Sequence, residues 1–187
     1  MSQSKTRTIV ALAGAALLVF VAAVAAVVTI AVRHTDQPSP EITAYAHGRS
    51  VSVNPYLYCD LQVSKERLAV GKCDSTKAVS DLDVPPGSPL QLSLPKEIAD
   101  APWEILLGYR IPGPKGDTAE PVLITSQDYP DKPLAITIKT PANEHVRLAI
   151  MELHLPIPAR DEAGNEGVVS RGIWSIQTPA FDPALFS

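Results

Sequence analysis

The chain of 187 residues is short of the side chains that usually carry chemistry: it holds 2 Cys, 4 His and only 5% aromatic residues. The two cysteines, Cys59 and Cys73, do not form a Cys-x-x-Cys redox motif, and no histidine is near them in sequence to complete a tetrahedral metal site. No Gly-x-Ser-x-Gly elbow presents a nucleophile. The Gly113-x-x-Gly116 stretch follows no helix start, so a phosphate-cradling loop is excluded. Basic clusters are missing as well. Of 16 Lys and Arg residues three (Lys5, Arg7 and Arg33) precede His34, leaving 13 against all 20 acidic residues, a net charge of −7 for the rest. That balance argues against a nucleic-acid partner, which would need Lys and Arg to displace counterions from phosphates.

Charge is absent altogether from residues 8–32. As a helix this run of 25 residues reaches about 37 Å, enough to cross a hydrocarbon core of about 30 Å with some tilt. Lys5 and Arg7 favour a cytoplasmic N-terminus for residues 1–7. Ala23-Val24-Ala25 resembles a signal-peptide cleavage site, but the run is long and has no polar region behind it, so an uncleaved signal anchor is the preferred reading. Either reading exports everything that follows. The small-residue pairs Ala11 with Ala15 and Ala22 with Ala26 are what an Ala-rich segment produces by chance.

Residues 33–41 are a polar, Pro-containing linker, and residues 42–178 carry a different periodicity. Apolar side chains recur every second position, as in Leu57, Cys59, Leu61 and Val63, in Leu90, Leu92 and Leu94, and in Trp103, Ile105, Leu107 and Tyr109. Further runs lie at 51–53, 122–125, 134–139, 146–155 and 168–177, separated by Pro- and Gly-rich turns. The pattern predicts an all-β domain, an immunoglobulin-like antiparallel sandwich of seven to eight strands, behind one N-terminal transmembrane helix. Within 146–155 the apolar parity changes, and a one-residue bulge near Met151 would return Leu153 and Leu155 to the face of Leu148 and Ile150. Helical turns are expected only at 65–68 and 96–100, and residues 179–187 form a Pro-broken tail. In an oxidising compartment Cys59 and Cys73 are expected to pair, closing a loop of about 15 residues worth roughly 3 kcal/mol.

Three motifs resemble a family of membrane-anchored actinobacterial proteins, domain of unknown function 2771. They are Asn54-Pro55-Tyr56-x-Tyr58-Cys59-Asp60, Pro86-Gly87-x-Pro89-Leu90-x-Leu92-Ser93-Leu94-Pro95, and Ala101-Pro102-Trp103 with Tyr109 six residues on. The similarity runs from about Val51 to Trp174. It implies an exported single-span envelope protein with no assigned activity and brings no catalytic residues with it.

Trp103, Tyr109 and Trp174 are candidates either for a ligand site or for the core, where a buried indole N–H needs an acceptor. Glu152 and His154 share a strand face and are a first half of a metal or acid–base site. The acidic loop at 161–167 has calcium-type oxygen ligands without the spacing of a calcium loop, and Asp81 and Asp83 have no placed partner. No catalytic, cofactor or metal residues are therefore assigned. The expected function is binding or scaffolding in a cell-envelope complex on the outer side of the cytoplasmic membrane, with a protein partner or a small-molecule ligand unnamed. A lipid carrier with a cavity between the sheets, or a hydrolase using His154 and Glu152, are the alternatives.

Overall fold

A computed structural model describes residues 20–26, 39–64, 67–160 and 166–186. The chain divides into two compact units, Met1–Pro38 and Ser39–Ser187. Of the first, residues 20–26 are helical, and the rest of the expected span at 8–32 lies outside the described residues. Among the described residues no helix is long and apolar enough to cross a membrane.

The second unit is built almost wholly from strands. They are β1 (Ile42–Ala46), β2 (Arg49–Val53), β3 (Leu57–Ser64), β4 (Arg67–Ser75), β5 (Val79–Asp81), β6 (Leu90–Ser93), β7 (Glu104–Ile111), β8 (Thr118–Thr125), β9 (Ala135–Ile138), β10 (Arg147–Arg160) and β11 (Glu166–Gln177). A four-stranded sheet runs in the order β2-β1-β6-β9. A seven-stranded sheet runs β4-β3-β11-β10-β7-β8, with β5 added alongside β11. Pairing is antiparallel except between β5 and β11.

Alternation decides which side chains meet between the sheets. In β1, Ile42, Ala44 and Ala46 are buried while Thr43 and Tyr45 face out. The four-stranded sheet adds Leu90, Leu92, Ile136 and Ile138, and the larger one answers with Ile105, Leu107, Leu153, Trp174 and Ile176 in the same cluster. This single core is what couples the two sheets into a sandwich. Between β1 and β2 the turn is His47-Gly48, both at positive φ (47° and 77°), the geometry of a tight two-residue hairpin.

Among the described residues eleven strands replace the expected seven to eight. The additions are β1, β5 of only three residues, and β4, whose start was expected to be helical: Arg67 and Leu68 instead pair with Ser64 and Val63. The other expected helical turn forms at Lys96–Ala99, burying Ile98 and Ala99. Strand β10 also continues past Leu155 through Pro156 and Pro158. Its pairing with β7 ends at His154, so the two prolines lie where one side of the strand is open and no N–H is needed there.

The bulge in β10 is present, but at Ala149: Leu148 faces Tyr109 and Ile150 faces Gly108. Met151 therefore joins Leu148, Leu153 and Leu155 in the core, and Ile150, expected inside, turns to the outer face. Two carbonyls at the bulge are taken by Thr178. Its hydroxyl donates to Leu148 O at 2.6 Å and its N–H to Ala149 O at 3.0 Å.

Candidate functional site

The outer face of the seven-stranded sheet carries Glu152 and His154, the polar pair singled out in the sequence. On β10, Glu152 and His154 stand two residues apart, with Glu152 Oε2 3.1 Å from His154 Nε2. The other ring nitrogen, Nδ1, lies 3.0 Å from Ser170 Oγ on β11. In the neutral imidazole one arrangement satisfies all three groups: Nε2–H donates to the carboxylate and Nδ1 accepts from the serine hydroxyl. Both side chains are partly shielded, with 25% of His154 and 31% of Glu152 exposed.

Strict alternation along β11 would put Ser170 on the same face as the core residues Trp174 and Ile176, so it was not a candidate. A register shift intervenes: His154 faces Ile173, yet Pro156, two residues on, faces Ser170 three residues back. The extra residue in β11 turns Ser170 outward beside His154. Periodicity cannot reveal such a bulge without knowledge of the partner strand.

Two depressions lie on the same sheet face. One lies at the end of the sheet where β7 leaves and β10 enters. Its volume is about 350 Å³, and Arg110, Asp117, Glu144, His145 and Arg147 line it. Arg110 and Arg147 are direct cross-strand partners; Arg110 Nε donates to Asp117 Oδ2, and Arg147 Nε to the Glu144 carbonyl at 3.4 Å. The second, about 280 Å³, is mostly apolar and is lined by Leu106, Gly108, Ala119, Pro121, Ile150 and Phe186, with Glu152 as its one charged side chain. Phe186 belongs to the tail, which turns back at Thr178 and stacks Phe181 on Phe186 at 5.6 Å between centroids. Gly108 is the socket: a Cβ there would stand 2.5 Å from Phe186 Cε1 and 2.7 Å from Ile150 Cγ2. The tail thus packs against the sandwich.

The remaining candidates have structural surroundings. Trp103 and Tyr109 are buried, Trp103 tilted against Tyr129 at 5.6 Å. Burial raises the Tyr109 phenol above its ordinary value of 10.0. Trp174 is fully buried, and its indole N–H donates to Pro40 O at 2.9 Å. Cys59 and Cys73 face each other across β3 and β4 and form a disulfide. The family motifs also do fold work. Tyr56 N–H binds Ile173 O at 2.7 Å where the chain crosses from the small sheet to the large one, and Gly87, at φ 76°, donates to Pro141 O at 2.8 Å. Most of the acidic loop, residues 161–165, lies outside the described residues. Among the described residues no group of three or more His, Cys, Asp or Glu is placed to hold a metal ion.

The model of a family described as "Protein of unknown function (DUF2771)" matches residues 35–179. The chain belongs to the DUF2771 family. Uncharacterized proteins of Mycobacterium bovis and of two strains of Mycobacterium tuberculosis are each 33% identical to it over 147 residues, covering 78% of this DUF2771 chain and 82% of theirs. No solved structure matches.

Proposed function

We propose that this DUF2771 protein is a single-span envelope protein: a signal anchor at residues 8–32 carrying an immunoglobulin-like sandwich outside the cytoplasmic membrane, where it binds or scaffolds without catalysing a reaction. The observation that carries the reading is an uncharged run of 25 residues ahead of a β domain closed by a disulfide, a pairing suited to an oxidising compartment. Binding is the fitting role because the outer sheet face offers two adjoining depressions, whereas neither His154 nor Ser170 lines either of them. The test is purification of the full-length protein from its native membranes in mild detergent, beside a version lacking residues 1–33. A partner or ligand retained in near-equal amounts supports the binding role, and extraction without detergent refutes the anchor.

A hydrolase is the second reading, favoured by the hydrogen-bonded row Glu152, His154, Ser170. It requires Ser170 to react with a fluorophosphonate probe, with Ser170→Ala and His154→Gln each abolishing the labelling. An unlabelled wild-type protein removes it.

A further inference from the structure

We infer that the outer face of the seven-stranded sheet is a binding groove for a single-chain anionic amphiphile, its head at Arg147 and its hydrocarbon chain beside Phe186 along Pro121 and Leu106. This deepens the binding reading by naming a ligand class.

Sheet register joins the two depressions. Arg147, Arg110 and Ala119 are successive cross-strand neighbours on β10, β7 and β8. The next outward row is Ile150, Gly108 and Pro121, and the row after it is Glu152, Leu106 and Leu123. Arg110 lines the polar depression and its partner Ala119 the apolar one, so the two meet at a single row of the ladder. From Arg110 to Leu106 the strand advances four residues, about 13 Å, a length that the nearer part of a long alkyl chain spans, bringing its distal half to Leu106 and Leu123.

The chemistry changes along that line in the sense an amphiphile requires. Asp117 occupies Arg110, while Arg147 gives only its Nε to a backbone carbonyl. Its two terminal nitrogens are thus left for a carboxylate or phosphate, the anions a guanidinium fork engages in pairs. His145 stands on the same rim, and Glu144, the other carboxylate there, is the group an incoming anion must avoid. One row further, side chains become small or apolar, and Leu106 and Leu123 remain 39% and 58% exposed. A sheet face that exposes Leu beside Ile150, Pro121 and Phe186 is apolar surface awaiting cover. The Ala149 bulge is what makes the line possible, because it puts Arg147 and Ile150 on one face although three positions separate them. Phe186, seated on Gly108 and stacked on Phe181, forms the side wall of the groove.

The full-length chain in phosphatidylcholine nanodiscs tests this, using hexadecanoate with a diazirine in its distal half as the probe. Photolysis and peptide mapping should place adducts on β7, β8 and the Phe186 peptide. Arg147→Gln should weaken labelling about tenfold, the loss of one charge-assisted pair. Ala119→Phe, an exposed-position change that fills the apolar part, should abolish it. Competition by unlabelled hexadecanoate assigns a carboxylate head, and stronger competition by lysophosphatidate assigns a phosphate. Hexadecanol competing as well as either overturns the anionic head. Adducts confined to residues 8–32 or scattered over the surface, and insensitive to both substitutions, overturn the groove. A protein partner still co-purifying in that event would leave the broader binding reading standing.

Discussion

Thr178→Val isolates the joint between the sandwich and its tail. The two side chains have nearly the same shape, so the change removes a hydroxyl and little else. In the folded chain that hydroxyl is buried, donates to Leu148 O at 2.6 Å and accepts from Ala180 N–H at 3.1 Å. Each such bond contributes about 1 kcal/mol net, and the Leu148 carbonyl, sitting at a bulge, loses this donor. The expected loss is therefore about 2 kcal/mol, with a part of it local to residues 178–186. Urea unfolding followed by the fluorescence of Trp103 and Trp174 reads the global share, because both indoles are buried in the sandwich. Carboxypeptidase digestion reads the local share as faster release of Phe186 and Leu185. A variant within 0.5 kcal/mol of wild type, with unchanged tail digestion, would refute the argument that the bulge carbonyls hold the tail.

Three further outcomes are expected. Trp174→Phe removes the donor to Pro40 O and part of a ring packed over Gly172 and edge-on to Tyr58 at 6.0 Å, and should cost about 3 kcal/mol in the same unfolding assay; a loss under 1 kcal/mol would mean the site collapses freely. The double change Cys59→Ser, Cys73→Ser should lower stability by about 3 kcal/mol and make reductant harmless to the variant, while equal sensitivity of the two proteins to dithiothreitol would contradict it. Burial holds the Tyr109 phenol protonated where the unfolded chain's phenol ionises, so its contribution is whole below about pH 10 and is lost as pH rises through the raised value. Tyrosinate absorbance should show a late-titrating component that is absent in Tyr109→Phe; a wild-type profile without that component would refute it.

Much of the fold was legible because burial on one face of a strand leaves a period of two in the sequence. Leu90 and Leu92, or Ile105 and Leu107, can meet water only if the pairing slips, so their alternation predicts both strand and core. Legibility failed where a residue's role depends on its neighbour across the sheet. Strand β5 is three residues whose pairing is with β11 and whose sequence has no pattern long enough to read. The parity change in β10 pointed to a bulge near Met151, yet whether Ile150 or Met151 faces the core was settled by the register against β7.

The candidate site divides along the same line. Glu152 with His154 follows from spacing on one strand, and the Cys59–Cys73 pair from composition and compartment. Ser170 beside His154, Arg147 opposite Arg110 and Phe186 seated on Gly108 join residues 16, 37 and 78 positions apart. Local propensity carries no information about such contacts, because each arises from how bulges in two long strands re-aim side chains once the core has fixed the sheets. The sequence by itself determined an uncharged N-terminal run, an alternating β domain and its disulfide. Only the tertiary structure decided which face of the larger sheet stays open, because that depends on register between distant strands.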